Sequence, residues 1–324
     1  MVVNGILVAI AFIVDLLVGD PAWLVHPVVL IGKGITFCEE VLRKWVGPTV
    51  GLRAAGLVLT VIIVTFAYLI TWIVVAAAGR VSPWLGMIVS VWLVSTTIAS
   101  TSLYKAAREL FQLLSTGNLE QARVKVGWIV GRDTHSLSES EVVRATVETV
   151  AENIVDGIVS PLFYAFLGGA PLAMAYRAVN TLDSMVGYKN ERYLQLGWAS
   201  ARFDDAANFL PARLTAVFLV IATALKGLNW RRAVVTIRRD APKHPSPNSG
   251  FPEAAVAGGL GIRLGGLNYY GGIPSHRAFM GDNLRELRLD DIRETWQLMY
   301  ITAFLATAAG LALVVALGLL RGGV

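Results

Sequence analysis

Two clusters of oxygen-bearing side chains lie in a polar stretch, residues 177–213, between strongly apolar segments. Within each cluster the residues are at most four positions apart, so a helix would place them on one face. The clusters are Asn180, Asp183 and Ser184, followed by Asp204, Asp205 and Asn208. Such oxygens suit Mg²⁺, which usually takes one or two carboxylates together with substrate phosphates. The basic side chains that could contact those phosphates are Lys189, Arg192, Arg202 and Arg213. The stretch therefore indicates a magnesium and phosphate site, and the alternative is a solvated hairpin whose charges pair locally.

Another row of acids follows a predicted helix start. Ser138 and Glu141 have the spacing of a capping box, so a helix should begin there. Along this helix Glu148, Glu152 and Asp156 recur every four residues. Like charges at this spacing repel one another in an isolated helix. The row therefore indicates a cation or a basic partner opposite it, unless it is an exposed acidic face.

The composition is that of a membrane protein. Of the 324 residues, 55% are hydrophobic and 16% charged, whereas soluble domains carry about 25% charged residues. Several uncharged windows exceed the roughly 18 apolar residues that mark a membrane helix. The single cysteine, Cys38, excludes an intrachain disulfide, and no basic-aromatic nucleic-acid module is present. We therefore predict an all-α, polytopic integral membrane protein with one domain, residues 1–324, and no nucleic-acid partner.

The elements that must position these residues can be placed along the chain. Uncharged segments 54–79, 81–104 and 299–320 are predicted spans, and 157–176 is a broken or re-entrant segment because of its Gly and Pro residues. Segments 105–128 and 226–298 are basic, so they are predicted to be cytoplasmic helical loops. Within the first of them, Ser115-Thr116-Gly117-Asn118 should break the helix, and Asn118 can cap the helix that follows. The total is about four to six membrane segments. Glycines near 258–266 could cradle phosphate, but ordinary turns are the favoured interpretation.

A series of short motifs runs in order through nearly the whole chain. The motifs are Asp15, Gly19-Asp20-Pro21, His26-Pro27, Val130-Gly131-Arg132-Asp133-Thr134, Glu148-Thr149-Val150-Ala151-Glu152-Asn153, Asn180-Thr181-Leu182-Asp183-Ser184-Met185, Gly187-Tyr188-Lys189-Asn190, Ala201-Arg202-Phe203-Asp204-Asp205 and Pro247-Asn248-Ser249-Gly250. Each motif alone is weak, but the set is specific. Together they resemble the CobD/CbiB family of adenosylcobinamide-phosphate synthases.

The resemblance implies an ATP-dependent amide synthesis in cobalamin biosynthesis, with ATP and Mg²⁺ as cofactors. The acid would be the free propionate of adenosylcobyric acid, and the amine 1-amino-2-propanol or its phosphate ester. A carboxylate is a poor acylating agent, so amide formation normally passes through an acyl phosphate, which requires Mg²⁺ and cationic groups.

Roles for individual residues follow as hypotheses. The expected catalytic residues are Glu148, Glu152, Asp183, Asp205 and Lys189. The expected metal ligands are Asp183, Asp204, Asp205 and Asn208. The expected substrate or phosphate contacts are Arg132, Asn153, Asn180, Ser184, Asn190, Arg192, Arg202, Arg213, Asn248 and Ser249.

The expected location is the cell membrane, with several passes, the lipid bilayer as a partner and the active site facing the cytoplasm. A homo-oligomer is compatible with the sequence. The sequence does not decide whether the amine is phosphorylated. Three other functions compete with the ligase. They are a regulatory membrane protein like AmpE, to which the family is similar, a magnesium-dependent membrane prenyltransferase, and a transporter with broken helices.

Overall fold

Helices form most of the computed structural model, which describes residues 2–21, 25–46 and 51–320. The helices are α1 (Val2–Val18), α2 (Pro27–Trp45), α3 (Leu52–Val81), α4 (Pro83–Ser95), α5 (Ser100–Ser115), α6 (Leu119–Val126), α7 (Glu139–Ile154), α8 (Ser160–Val186), α9 (Trp198–Ala207), α10 (Phe209–Leu225), α11 (Trp230–Asp240), α12 (Gly250–Leu260) and α13 (Asp290–Leu320). A π-helical turn, Val155–Val159, joins α7 to α8, and strands β1 (Leu264–Tyr270) and β2 (Ile273–Met280) form a hairpin.

Four helical segments of the described chain are long and apolar enough to cross a membrane. They are Leu52–Val81, Pro83–Ser115, Glu139–Val186 and Asp290–Leu320. The bent pair formed by α9 and α10, broken at Asn208, would make a fifth, and α1 is apolar but shorter. This architecture confirms the predicted all-α polytopic membrane protein, and the number of spans falls within the predicted range.

The chain divides into two compact units. The first consists of Met1–Ala99, Ser160–Asn208 and Thr307–Val324, and the second of Ser100–Val159 and Phe209–Ala306. The single domain expected over residues 1–324 stays a prediction.

Close packing in the first unit holds α8 against α3 and α9. Its core includes the buried side chains of Ile35, Leu59, Leu182 and Leu196. A Cβ on Gly56 would lie 1.9 Å from the carbonyl oxygen of Leu196, so only glycine permits this approach. The packing brings together the two helices, α8 and α9, that carry the first two polar clusters.

Helix α8 is interrupted at Gly168-Gly169. Gly169 has φ 68° and ψ −160°, a conformation open essentially to glycine, and Pro171 follows it. The predicted break within 157–176 is therefore confirmed, and helical structure resumes and continues to Val186.

In the second unit α12 packs against α10 and α11 through glycines. A Cβ on Gly258 would lie 2.6 Å from Thr236 Oγ1, and one on Gly259 would lie 2.9 Å from Thr223 Cγ2. The expectation of turns was wrong for Gly258 and Gly259, which permit close helix packing, whereas Gly261, with φ 69°, does form the turn that ends α12. The predicted break near Ser115 and the Asn118 cap are confirmed, since Asn118 Oδ1 accepts from Gln121 N–H at 3.3 Å.

The antiparallel hairpin was not expected among helical loops. Its two-residue turn is Gly271-Gly272, with φ 57° and 79°. Two positive φ values favour glycine and match the twist of a hairpin. Both turn N–H groups donate to the Asp133 carboxylate, at 3.0 Å and 2.7 Å, and Asp133 N–H donates to Tyr269 O at 2.8 Å. These bonds anchor the loop that carries Arg132 to the hairpin.

Candidate functional site

Glu148 of α7 is the centre of a buried ionic cluster in the second unit. Its Oε2 accepts from Arg132 Nη1 at 2.8 Å, and its Oε1 lies 3.5 Å from Arg144 Nη1. Oε1 also accepts from Gly265 N–H at 2.8 Å. Asn268 Oδ1 accepts from Arg132 at 2.5 Å and from Arg144 at 3.1 Å. Basic side chains therefore face Glu148, the first acid of the row. Both oxygens of its carboxylate accept hydrogen bonds from other groups of the protein.

The start of α7 explains how Glu148 is placed. Ser138 Oγ accepts from Glu141 N–H at 3.4 Å, and Glu141 Oε2 accepts from Ser138 N–H at 2.8 Å. This reciprocal pair is the predicted capping box, and it fixes where the helix begins. Arg144 then lies one turn before Glu148, at the i,i+4 spacing that lets the two side chains meet.

A small cavity of about 100 Å³ lies beside the cluster, and we call it the polar pocket. Its lining includes Arg132, Glu152, Asn153, Tyr270 and Arg277. The Nε and Nη2 groups of Arg132 are buried without a hydrogen-bond partner among the described residues. Buried donors of this kind are costly unless a ligand satisfies them. The polar pocket is therefore suited to a small ligand that carries an anionic group.

Arg277 adds a second positive charge to the polar pocket. Its Nη2 donates to the Tyr270 hydroxyl at 3.0 Å. Burial alone would lower the pKa of Arg277, but Tyr270 and the nearby glutamates outweigh it and raise that pKa above its usual range. The guanidinium is therefore a fixed positive charge beside Glu152.

Glu152 has fewer partners than Glu148. Its Oε1 accepts from Ser249 Oγ at 2.9 Å, so the Asn248-Ser249-Gly250 motif lies beside α7. The N–H groups of Asn248 and Ser249 both donate to Ser246 Oγ, at 3.2 Å each. The Ser249 hydroxyl thus contacts Glu152, whereas the backbone N–H groups of Asn248 and Ser249 are hydrogen-bonded to Ser246.

His244 and Glu253 form a buried pair that sequence analysis missed. His244 Nε2 lies 3.6 Å from Glu253 Oε1, and Glu253 is 2% exposed. Burial, reinforced by Glu148 and Glu152, raises the pKa of Glu253 well above its usual range, and burial lowers the pKa of His244. Both shifts favour the neutral forms of these side chains, which limits the negative charge gathered beside Glu152.

In the first unit, Asp204 and Asn208 form a second buried polar cluster. Asn208 Nδ2 donates to Asp204 Oδ2 at 3.0 Å. Asn208 Oδ1 accepts from Ser160 Oγ at 2.6 Å and from the Tyr176 hydroxyl at 2.8 Å. The Asn208 side chain is thus oriented by three hydrogen bonds, with its oxygen occupied by two hydroxyl groups.

Asp183 and Asn180 of α8 lie beside Asp204, within range of electrostatic interaction. Asp204 Oδ1 is buried without a hydrogen-bond partner among the described residues. A Cβ on Gly187 would lie 2.0 Å from Asp183 Oδ1, so glycine is required for this placement of the carboxylate. Two adjacent carboxylates, one with an unpaired oxygen, fit a hard cation such as Mg²⁺. Within the described ranges, no group of three or more His, Cys, Asp or Glu side chains could hold a metal ion by itself.

The other predicted site residues of the first unit lie outside this carboxylate pair. Asp205 pairs with Arg202 at 3.5 Å. Arg192 pairs with Glu39 at 3.3 Å, and Ser184 Oγ donates to Asn180 O in its own helix. Lys189 and Asn190 are exposed, in the segment between α8 and α9.

Two predicted contacts of the second unit are held mainly by their neighbours. Asn153 Nδ2 donates to Thr149 O at 2.9 Å, although its side chain also lines the polar pocket. Arg213 donates from Nη1 to Phe209 O at 2.6 Å and to Asn248 Oδ1 at 3.3 Å, and it lines a different, apolar groove. The roles assigned to all these residues stay predictions.

The fold and the sites define a helical membrane protein with a buried arginine–glutamate cluster in one unit and a carboxylate–amide cluster in the other. The family model described as CobD/Cbib protein matches residues 8–299. The chain therefore belongs to the CobD/CbiB family.

Curated relatives agree with this assignment. The cobalamin biosynthesis protein CbiB of Salmonella choleraesuis (strain SC-B67) is 48% identical over 303 residues, covering 94% of this chain and 95% of the relative. The cobalamin biosynthesis protein CobD of Pelobacter propionicus is 48% identical over 314 residues, covering 97% of this chain and 95% of the relative. CobD of Klebsiella pneumoniae subsp. pneumoniae is 47% identical over 299 residues, covering 92% and 94%. No solved structure matches this chain.

Proposed function

We propose that this protein acts in cobalamin biosynthesis as an acid–amine ligase. It joins the propionate carboxylate of adenosylcobyric acid to the phosphate ester of 1-amino-2-propanol, at the expense of ATP. Family membership and the names of the relatives support the pathway. The polar pocket, with its unpaired Arg132 donors, supports the choice of a phosphorylated amine.

The pocket chemistry matches the two ends of an amino alcohol phosphate. The phosphate accepts hydrogen bonds from Arg132 and Arg277, whose planar groups suit bidentate contacts. The ammonium group of the amine lies beside the Glu152 carboxylate. This carboxylate lines the pocket and accepts a hydrogen bond from Ser249, whereas that of Glu148 is held by two arginines. A cavity of about 100 Å³ is far too small for a corrin ring, so we assign it to the amine.

The reaction consists of two successive substitutions, first at phosphorus and then at the acyl carbon. The propionate oxygen attacks the terminal phosphorus of ATP, which forms an acyl phosphate and releases ADP. The amine nitrogen then attacks the acyl carbon, which forms the amide and releases inorganic phosphate. Glu152 takes the proton that the ammonium must lose before it can attack, as a general base within the pocket.

The second cluster supports the magnesium requirement. Asp183 and Asp204 would hold Mg²⁺, with Asn180 and Asn208 beside them. The ion would neutralise charge on the phosphates of ATP during phosphoryl transfer. Asn208, held by Ser160 and Tyr176, keeps the Asp204 carboxylate in place.

We place the protein in the cell membrane with its basic segments, and therefore the polar pocket, on the cytoplasmic side. The candidate membrane helices support several passes. The excess of Lys and Arg in residues 226–298 supports the orientation, because cytoplasmic loops are enriched in these residues.

A competition experiment tests the choice of amine. Purified protein in nanodiscs is given adenosylcobyric acid, ATP and Mg²⁺ with equal amounts of aminopropanol and aminopropanol phosphate, and the two amides are separated by mass. We expect the phosphorylated amide to dominate, and Arg277→Gln to reduce that preference by at least about tenfold, as expected for a charged hydrogen bond of 1.5–3 kcal/mol. Equal use of both amines by the wild-type protein would contradict the assignment of the pocket.

A further inference from the structure

An apolar groove of about 320 Å³ lies between α10 and α11 in the second unit, and Phe251 of α12 also contributes to its lining. We call it the α10–α11 groove. Its aliphatic lining comes from Val217 and Ile221 of α10 and from Val234 and Ile237 of α11. Val217 and Ile221 are 55% and 41% exposed, although each is a large apolar side chain. The groove can therefore receive an aliphatic chain of some length.

Two arginines line the same groove. The Arg213 guanidinium stacks on Phe209 at 3.5 Å and on Phe251 at 4.4 Å from the ring centroids. Its hydrogen bonds to Phe209 O and Asn248 Oδ1 both use Nη1. Arg238 is exposed, and no ion pair or hydrogen bond holds it among the described residues. The apolar groove thus carries two positive charges, and no acidic side chain of the described residues forms an ion pair with either arginine.

The surroundings indicate where the ligand comes from. Helix α10 belongs to a candidate membrane segment. Helix α11 is amphipathic, with arginines and exposed Trp230 and Val235, while Ala233 and Thr236 are buried. Basic amphipathic helices with exposed aromatic and aliphatic residues are typical of a membrane surface. The two helices of the groove therefore have the character of a membrane segment and of a membrane-surface helix. At such a boundary a phospholipid could supply both an acyl chain and a phosphate.

We infer that the α10–α11 groove binds one anionic phospholipid of the surrounding bilayer. One acyl chain lies along Val217, Ile221 and Ile237, and the headgroup phosphate lies between Arg213 and Arg238. A free phosphate would leave the aliphatic lining empty, and a choline headgroup would bring a positive charge towards the arginines. The site is separate from the polar pocket, so the inference does not depend on the ligase reaction.

Native mass spectrometry of the delipidated full-length protein tests this site. The probes are phosphatidylglycerol, phosphatidylcholine with the same acyl chains, and glycerol 3-phosphate. We expect one tightly held phosphatidylglycerol, and an affinity for phosphatidylcholine lower by about fivefold or more, because each arginine near a lipid surface contributes about 1 kcal/mol. Equal binding of the two lipids would overturn the inference. Glycerol 3-phosphate that competes as well as the lipid would instead identify a site for free phosphate esters.

Two variants locate the binding. Arg238→Gln should weaken phosphatidylglycerol binding about fivefold. The matched control is Arg231→Gln, on the same helix, whose guanidinium lies 5.3 Å from the Trp230 ring and does not line the groove. Val217→Trp, which fills the groove from an exposed position, should remove the retained lipid. Equal losses in Arg231→Gln and Arg238→Gln, or full retention in Val217→Trp, would refute the location.

Discussion

Replacing Glu148 by Gln tests whether this side chain serves the fold rather than the reaction. The substitution keeps the shape and removes the charge that faces Arg132 and Arg144. All three side chains are at most 9% exposed, so water cannot take over the role of the carboxylate. The Gln amide also replaces one acceptor oxygen with a donor, which must face either Arg132 Nη1 or Gly265 N–H. Breaking a buried ion pair in this way costs about 3–5 kcal/mol.

The expected result is a large loss of thermal stability. At about 2 °C per kcal/mol for a chain of this size, the apparent Tm in detergent should fall by roughly 6–10 °C. Glu141→Gln is the matched control, because Gln can keep the capping box and the side chain is only partly buried, so its Tm should change by less than about 2 °C. An unchanged Tm in Glu148→Gln, together with complete loss of turnover, would refute this reasoning and make Glu148 a reacting group.

Three further predictions concern the two polar clusters and the pH dependence. Glu152→Gln can keep the hydrogen bond from Ser249, so Tm should stay within about 2 °C while kcat for amide formation falls by about 100-fold or more, as for loss of a general base. Asp183→Asn and Asp204→Asn should each raise the Mg²⁺ concentration needed for half-maximal turnover by about tenfold or more, measured by titration of Mg²⁺ at saturating ATP. Burial alone would raise the pKa of Asp240, but hydrogen bonds from Arg239, Lys243 and Gly281 N–H hold it well below its usual range. The stability from Asp240 is therefore present above the unfolded pKa, near 3.9, and is lost as pH falls through the lower folded pKa. Asp240→Asn should melt below the wild type at pH 7, and the gap should narrow below about pH 4.

Each of these predictions has its own control. Glu139→Gln changes an exposed acid in the first turn of α7 and should leave turnover unchanged. Glu191→Gln is an exposed acid between α8 and α9, and it should leave the Mg²⁺ requirement unchanged. Asp282→Asn removes a half-exposed partner of Arg239 and should lower Tm much less than Asp240→Asn. Equal effects in a variant and its control would show that the effect is one of general charge, not of the proposed contact.

Local sequence rules predicted much of the helical framework. The capping box at Ser138, the Asn118 cap and the break at Gly168-Gly169 depend on residues close together in the chain, and each is present. Helical spacing also predicted that Asp204 and Asn208 lie on one face, because the two residues are one helical turn apart, and their side chains form a hydrogen bond. Such features need no tertiary contact to be recognised.

The remainder of the site could not be predicted because its contacts join distant parts of the chain. Asn268 meets Arg132 across 136 residues, and Ser249 meets Glu152 across 97. Glu253 lies in a segment whose glycines suggested turns, and only its burial beside His244 distinguishes it. Two signals were available in the sequence: the Arg144–Glu148 spacing, and the Gly271-Gly272 pair between residues typical of strands.

The most direct test of the proposed ligase activity uses adenosylcobyric acid labelled with ¹⁸O in its free propionate carboxylate. The protein in nanodiscs is incubated with this acid, ATP, Mg²⁺ and aminopropanol phosphate, and both the amide and the released phosphate are weighed by mass spectrometry. The proposed mechanism predicts an amide that forms only with ATP, and one ¹⁸O transferred to inorganic phosphate for each amide made. Amide formation without ATP, or no amide from folded protein with either amine, would contradict it.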